Sequence, residues 1–394
     1  MQQGTNMTND IKCPHCGAYH CIKWSSYSRD VVSINNEEKK INVQRYKCKI
    51  CGMTFSKLPE DVFPRKKYSK SAIIQMIEWK YLYGGGLRKV GKTSDRKTIY
   101  PSSTIWKYIQ WIGPKSKEAL EKLKIIFSGV ITVDEIYYKC NGGTGVHIVV
   151  SAVCEDKNGK YTVIIGGEDF MIELSEESRK DKRKMKKEIR EMLSKHIEKV
   201  LQDVAERYGV TCIKIVLTDD DPIYSTIVPN IFPFAIHRIC LWHILKNFLK
   251  ALEKLYGNSK IFQKVIPTIN SLWHVNNQKK AMEILDKVQS ILGSTNKKIT
   301  RRLAKLRERI IKNRIGLLDF RTNNPSESTF ARIKPLIKVI KSFQSEDGMK
   351  NYLNSMVMWY NTSVFVDGAH KGKSPIELVC PAGVGDKITP FSYI

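Results

Sequence analysis

The chain has 394 residues, enough for two or three domains and at least one sizeable core. Its 66 Lys and Arg against 39 Asp and Glu leave a formal charge of +27, most simply explained by a polyanionic partner, with nucleic acid ahead of an anionic membrane surface. No apolar run approaches the roughly twenty residues of a membrane span, the polar start lacks a signal peptide's apolar stretch, and ten cysteines are too sparse for a secreted disulfide scaffold.

The first element is a pair of similar knuckles, Cys13-Pro14-His15-Cys16-Gly17 and Cys48-Lys49-Ile50-Cys51-Gly52. Two residues between thiolates let one tight turn present both sulfurs to a tetrahedral ion, and the following Gly permits the close backbone approach. Between them, Val31 to Ile34, the polar turn Asn35 to Glu38 and Ile41 to Val43 predict a hairpin, so residues 1–60 are expected to form a zinc ribbon holding one structural Zn²⁺ on Cys13, Cys16, Cys48 and Cys51. Cys21, His15 and His20 are spare ligands at most. The ribbon suits either DNA binding or contact with another subunit.

In the second module, residues 66–115, Ala72 to Tyr83 has helical spacing and is closed by Gly84-Gly85-Gly86. The basic connector Leu87 to Lys92 follows. A second helix is expected from a Ser cap near Ser102 to a stop at Gly113. This arrangement suits a helix-turn-helix DNA reader presenting Ser103, Thr104 and Lys107 to the major groove; the competing reading is an ordinary helical linker with an aromatic core.

From residue 125 the chain turns β-rich. Gly129 to Lys139 is a β-branched and aromatic run that carries Asp134 and Glu135, although strands disfavour Asp unless something positive sits against it. In a regular strand Asp134 shares a face with Thr132 and Ile136, and Glu135 points the other way. His147 to Glu155 and Tyr161 to Gly166, joined by a turn at Asp156 to Gly159, complete a predicted antiparallel meander. Glu173 to Tyr208 predicts one long helix with a solvated charged face, and Cys212 to Thr218 a buried strand opening onto Asp219-Asp220-Asp221-Pro222. Asp221 is explained as an N-cap before Pro222. Asp219, at the strand's carboxyl end, can face Asp134 on a parallel neighbour, with Asp220 the alternative.

A third acid, Glu327, lies in Asn324-Pro325-Ser326-Glu327. Asn324 as N-cap and Glu327 at the third helical position also make a capping box. A helix opening there would hold Glu327 toward the sheet and place Lys334 two turns along the same face, within reach of a phosphate. Three carboxylates from two strands and a helix are what two Mg²⁺ ions require for phosphodiester chemistry, because hard cations prefer oxygen ligands. Thr295 to Arg314 predicts a basic amphipathic helix with Leu303, Leu306 and Ile310 inward; Arg301, Arg302 and Lys305 are candidates for DNA contact or for a plain solvated surface. Tyr352 to Tyr360 predicts a helix closing the core, and the tail from Lys371 a loop.

Taken together, the Cys-x-x-Cys ribbon, the helix start at Ser103-Thr104-Ile105, Val133-Asp134-Glu135, Thr218 to Tyr224, Asn323 to Glu327 and the intervening Cys240-Leu241-Trp242-His243 resemble the DDE-type insertion-sequence transposases, nearest to the Mutator-like and related prokaryotic lineages. The resemblance implies an α/β fold: a ribonuclease H-like mixed sheet over residues 125–385 with a helical insertion at about 244–320, preceded by the ribbon and the helix-turn-helix. It further implies Asp134, Asp219 and Glu327 as catalytic ligands of two Mg²⁺ (or Mn²⁺) ions, with Lys334, Cys240, His243 and Asn324 supporting. The implied activity is cleavage and joining of double-stranded DNA at an element's ends, by a homodimer or larger assembly in a prokaryotic, nucleoid-associated cytoplasm. The run of three Asp departs from the family's pattern, which expects Gly after the second acid. A transposase-derived regulator without catalysis, and a structure-selective nuclease on the same core, are the competing functions.

Overall fold

The computed structural model describes residues 7–8, 11–82, 86–87, 100–122, 124–257, 259–275, 277–293, 296–312 and 324–380, with the side chains at 7–8, 241–242, 273, 312 and 324–328 outside the description. It is a mixed α/β structure with two sheets. Two compact units are present, Met1–Ile112 and Gly113–Ile394.

In the first unit, β1 (Met7–Thr8), β2 (Cys21–Val32), β3 (Glu38–Cys48) and β4 (Thr54–Lys57) form an antiparallel sheet in that order. The hairpin predicted between the knuckles is β2–β3; it pairs from Cys21 opposite Cys48 out to Val32 opposite Glu38 and turns through Asn35 and Asn36. Both asparagines have positive φ, a conformation Asn tolerates better than most residues. Two helices follow, α1 (Lys70–Leu82) and α2 (Ser102–Lys122). The ring of Tyr68 meets those of Tyr100 and Tyr108 edge-on at 5.9 and 5.8 Å, and Phe63 meets Trp111 at 5.0 Å. The connector Arg88 to Lys92 lies outside the described residues.

One expectation is corrected here. Gly113 does not stop α2, which continues through Pro114 to Lys122. The glycine serves close approach: a Cβ at position 113 would lie 2.4 Å from the Cα and carbonyl oxygen of Asn351.

The second unit is built on a five-stranded sheet of order β7-β6-β5-β8-β9. The predicted meander is β5 (Val130–Cys140), β6 (Gly143–Asp156) and β7 (Gly159–Met171), all antiparallel. β8 (Ile215–Thr218) and β9 (Ile236–Ile239) are parallel to β5. The strand predicted from Cys212 starts only at Ile215, because Val210–Cys212 forms a 3-10 turn after Gly209. The single helix expected over Glu173 to Tyr208 is two, α3 (Glu176–Lys180) and α4 (Lys182–Tyr208). Asp181 separates them: it leaves helical φ/ψ, ends the first, and caps the second by accepting the Arg183 N–H at 2.7 Å.

Residues alternate across the sheet. Ile131 and Val133 face a core shared with Leu193, Ile197 and Val200 of α4 and with Tyr224 and Ile227 of α5 (Pro222–Ile231). The insertion comprises α6 (Leu241–Tyr256), α7 (Lys260–Asn270), α8 (Gln278–Leu292) and α9 (Lys297–Lys312), with a core of its own that contains Leu303, Leu306 and Ile310 as predicted. α10 (Asn324–Lys338) and α11 (Glu346–Thr362) follow. They are tied to β7: the Thr329 and Tyr360 hydroxyls lie 2.6 and 2.8 Å from that of Thr162, and Asn361 exchanges two hydrogen bonds with the Ile164 backbone. The tail is not all loop. Ser374 and Glu377 form a capping box that starts α12 (Pro375–Val379), which buries Ile376 and Val379 in the main core.

Candidate active site and metal centre

Both knuckles fold the same way. Gly17 N–H reaches the Cys13 carbonyl at 2.9 Å and Gly52 N–H reaches that of Cys48 at 3.0 Å, with φ of +76° and +71° at the two glycines. These turns bring the sulfurs of Cys13, Cys16, Cys48 and Cys51 within 4.8 Å of one another. Cys13 to Cys51 is 3.7 Å and Cys16 to Cys48 is 3.6 Å. A tetrahedron with Zn–S bonds of about 2.3 Å has edges of roughly 3.8 Å, so the four thiols fit one zinc ion. The N–H groups of Cys51 and Ile50 pull the Cys48 thiol down to about 6, toward the thiolate a metal needs. Cys21, His15 and His20 are not in the cluster; Cys21 is buried, its thiol pushed up first by that burial.

The acids lie in the second unit. Thr132 of β5 stands opposite Leu217 of β8 in a parallel pair, and Asp134 and Asp219 each come two residues later. They are therefore level, Asp134 on β5 and Asp219 one residue past the end of β8, on the continuation of one sheet face. Burial raises the pKa of both, and the Asp219 charge raises that of Asp134 further. Asp134 accepts the Glu135 N–H at 2.8 Å, and Asp219 accepts the Asp221 N–H at 3.0 Å.

The neighbouring aspartates are engaged elsewhere. Asp220 forms an ion pair with Arg309 of α9 at 2.5 Å. Asp221 caps α5 through the Ile223 N–H at 3.1 Å, as its place before Pro222 predicts.

Lys334 of α10 lowers the Asp134 pKa, which puts its ammonium in the field of the acids. Glu327 lies in the first turn of the same helix, seven residues or two turns before Lys334 and so on the same face. The side chains of Glu327 and Asn324 are outside the described residues. His243 of α6 lowers the pKa of Asp134, Asp219 and Asp220, and its Nδ1 is buried with no hydrogen-bond partner among the described residues. Cys240 is fully buried, its N–H bonded to the Thr218 carbonyl at 2.8 Å.

Glu135 does more than point away. Its carboxylate accepts a hydrogen bond from the fully buried Tyr224 hydroxyl of α5, and burial together with Asp219 pushes it up to about 8. Neither Tyr224 nor Arg309 stood out among the candidates. A Tyr five residues after the acid, on the first turns of the next helix, was the local signal for one; Arg309, 89 residues from Asp220, left none.

The remaining candidates are surface positions. On α2, Ser103 and Lys107 are exposed one turn apart and Thr104 is half-buried; on α9, Arg301, Arg302 and Lys305 are exposed.

The class these features define is a mixed α/β protein with paired buried carboxylates at its sheet and a separate four-thiol cluster that fits a metal ion. Residues 183–362 match the family model described as Transposase, Mutator family, and over that segment the chain is similar to the Mutator-like insertion-sequence transposases. Residues 13–98 match a domain of unknown function (DUF6431). No curated protein matches the chain at a significant level. Among the described residues no helix is long and apolar enough to cross a membrane.

Proposed function

We propose that the protein is an active DDE transposase that binds the ends of its own mobile element and carries out divalent-metal-dependent cleavage and strand transfer of double-stranded DNA. One observation carries the reading: Asp134 and Asp219 are level on parallel neighbours within a Mutator-like chain. The strand order, a meander followed by two strands parallel to its first, supports a ribonuclease H-like core.

The donor set fits hard cations. Burial raises the cost of ionising Asp134 and Asp219, the Asp219 charge adds to that of Asp134, and a divalent ion removes that cost. Asp134, Asp219 and Glu327 would hold two Mg²⁺ or Mn²⁺ ions, which supply Lewis-acid stabilisation of charge on phosphate oxygens. The chain's own residues then position the DNA. Lys334 offers its ammonium to a phosphate beside Asp134. His243 lies near enough to the acids to favour their charged forms. Asp220, neutralised by Arg309, anchors the acid-bearing turn to α9.

DNA recognition falls to the ribbon and to α1–α2 as a helix-turn-helix, with Ser103, Thr104 and Lys107 on its reading helix, and to Arg301, Arg302 and Lys305 on α9. The protein would act as a homodimer or larger assembly on paired ends in a prokaryotic cytoplasm, and its charge of +27 accords with association with the nucleoid.

The test is to incubate the full chain with Mg²⁺ and labelled DNA carrying the ends that flank its own gene, wild type beside Asp134→Asn. Nicking and joining by wild type alone is expected. No reaction by wild type would favour a DNA-binding regulator, and cleavage independent of end sequence would favour a nuclease.

A further inference from the structure

The insertion contains a cleft that joins residues already assigned on α9 to cations of α6 that the proposed function does not use. It lies between α6 and α9, encloses about 550 Å³, and is lined by Lys250, Lys254, Arg302, Lys305 and Arg309, with Asp220 as its one carboxylate. Lys250 and Lys254 are one turn apart on α6; Arg302, Lys305 and Arg309 follow the three-and-four spacing of one face of α9. Five cations facing one cleft repel each other, and only Arg309 has a carboxylate partner there, Asp220 at 2.5 Å. Among the described residues Lys250, Lys254 and Lys305 form no ion pair, and all three are exposed.

The charges form a row. From Arg302 to Arg309 the seven-residue rise along α9 is about 10 Å, longer than a single phosphate and suited to several in succession. The row ends at Asp220, the residue next to Asp219, so whatever lies in the cleft leads to the acids.

We propose that the cleft is a phosphodiester subsite: it takes the backbone of one DNA strand and guides it to Asp134 and Asp219, with the Arg309–Asp220 pair fixing the near end of the track. The inference rests on the reading of the chain as a DNA transposase and adds Lys250, Lys254 and Arg309 to its substrate path. The occupant is a DNA backbone rather than a mononucleotide, because the cations are spread along two helices instead of converging on one point.

The test uses the full chain with no Mg²⁺ or Mn²⁺ added, so that binding is read without cleavage and the ribbon keeps its zinc, with fluorescently labelled DNA of the flanking sequence, single-stranded and duplex. Lys250→Ala/Lys254→Ala is compared with Lys279→Ala/Lys280→Ala, which removes equal charge from exposed positions on α8 outside the cleft lining. The cleft pair is expected to raise Kd about tenfold and to lower the slope of log Kd against log salt by about two, and the α8 pair to change Kd less than about twofold. Equal loss from both pairs, no loss from the cleft pair, or displacement of DNA by equimolar mononucleotide would each overturn the proposal. Repeating the measurement in Asp134→Asn separates the two readings: a chain that does not nick can still show the cleft effect, and a nicking chain can lack it.

Discussion

Asp134 and Asp219 sit the same two residues beyond a registered pair, Thr132 opposite Leu217, on parallel strands 85 positions apart in the chain. That relationship distinguishes the aspartates of the Asp219-Asp220-Asp221 run, because the other two are already committed: Asp220 to Arg309 and Asp221 to the start of α5. Since loss of a residue that merely orients a metal ligand costs 10- to 100-fold, loss of a ligand should cost about 100-fold or more. Asp219→Asn is therefore expected to abolish nicking and strand transfer while end binding, read by mobility shift, persists. Asp220→Asn should retain activity within about tenfold. An active Asp219→Asn beside a dead Asp220→Asn would move the ligand by one residue.

What was legible in the residues was what local chemistry dictates. The Cys-x-x-Cys-Gly knuckles are self-contained turns, the meander is β-branched runs broken by Asp156 to Gly159, and α9 shows its buried stripe in Leu303, Leu306 and Ile310. Readings failed where packing between distant segments overrode a local rule. Gly113 looks like a helix stop until Asn351 is seen against it, and the tail looks like loop until Ile376 and Val379 are seen in the core. The Asp220–Arg309 and Glu135–Tyr224 contacts join elements that no periodicity connects.

The four-thiol cluster predicts a difference between cysteines that are neighbours in space. Cys48→Ser/Cys51→Ser removes two of four clustered thiols, and zinc measured by mass spectrometry should fall from one per chain to near none. Cys21→Ser, outside the cluster, should keep its zinc. An unchanged stoichiometry in the double variant would assign the ion to other groups.

Gly113→Ala tests the close approach to α11. In an ordinary helix interior Ala is better than Gly by about 1 kcal/mol. Here the added methyl would meet Asn351 backbone at 2.4 Å, too close to be absorbed by a side-chain rotation. Overpacking of this kind costs about 1–3 kcal/mol, so the sign should reverse and the melting temperature fall. A variant as stable as wild type or more so would show that α2 and α11 separate freely at this point.

The acid cluster gives stability a pH dependence of predictable sign. Glu135 is pushed up to about 8 by burial and then by Asp219, whereas an unfolded glutamate titrates near 4.3. Between those values the folded chain holds a proton that the unfolded chain has released, so stability is present below the lower value and is lost as pH rises through the higher one. Without added Mg²⁺ the melting temperature should fall between pH 6 and pH 8.5, and Glu135→Gln, which cannot ionise, should flatten that slope. Added Mg²⁺ should restore stability most at the alkaline end, where Asp134, Asp219 and the adjacent Glu135 are all charged, by about 2.7 kcal/mol at a hundred times its Kd. Differential scanning fluorimetry on both chains reads all three effects. A Gln variant whose melting temperature falls as steeply as wild type would place the titration elsewhere, and an alkaline chain indifferent to Mg²⁺ would count against a cation at these carboxylates.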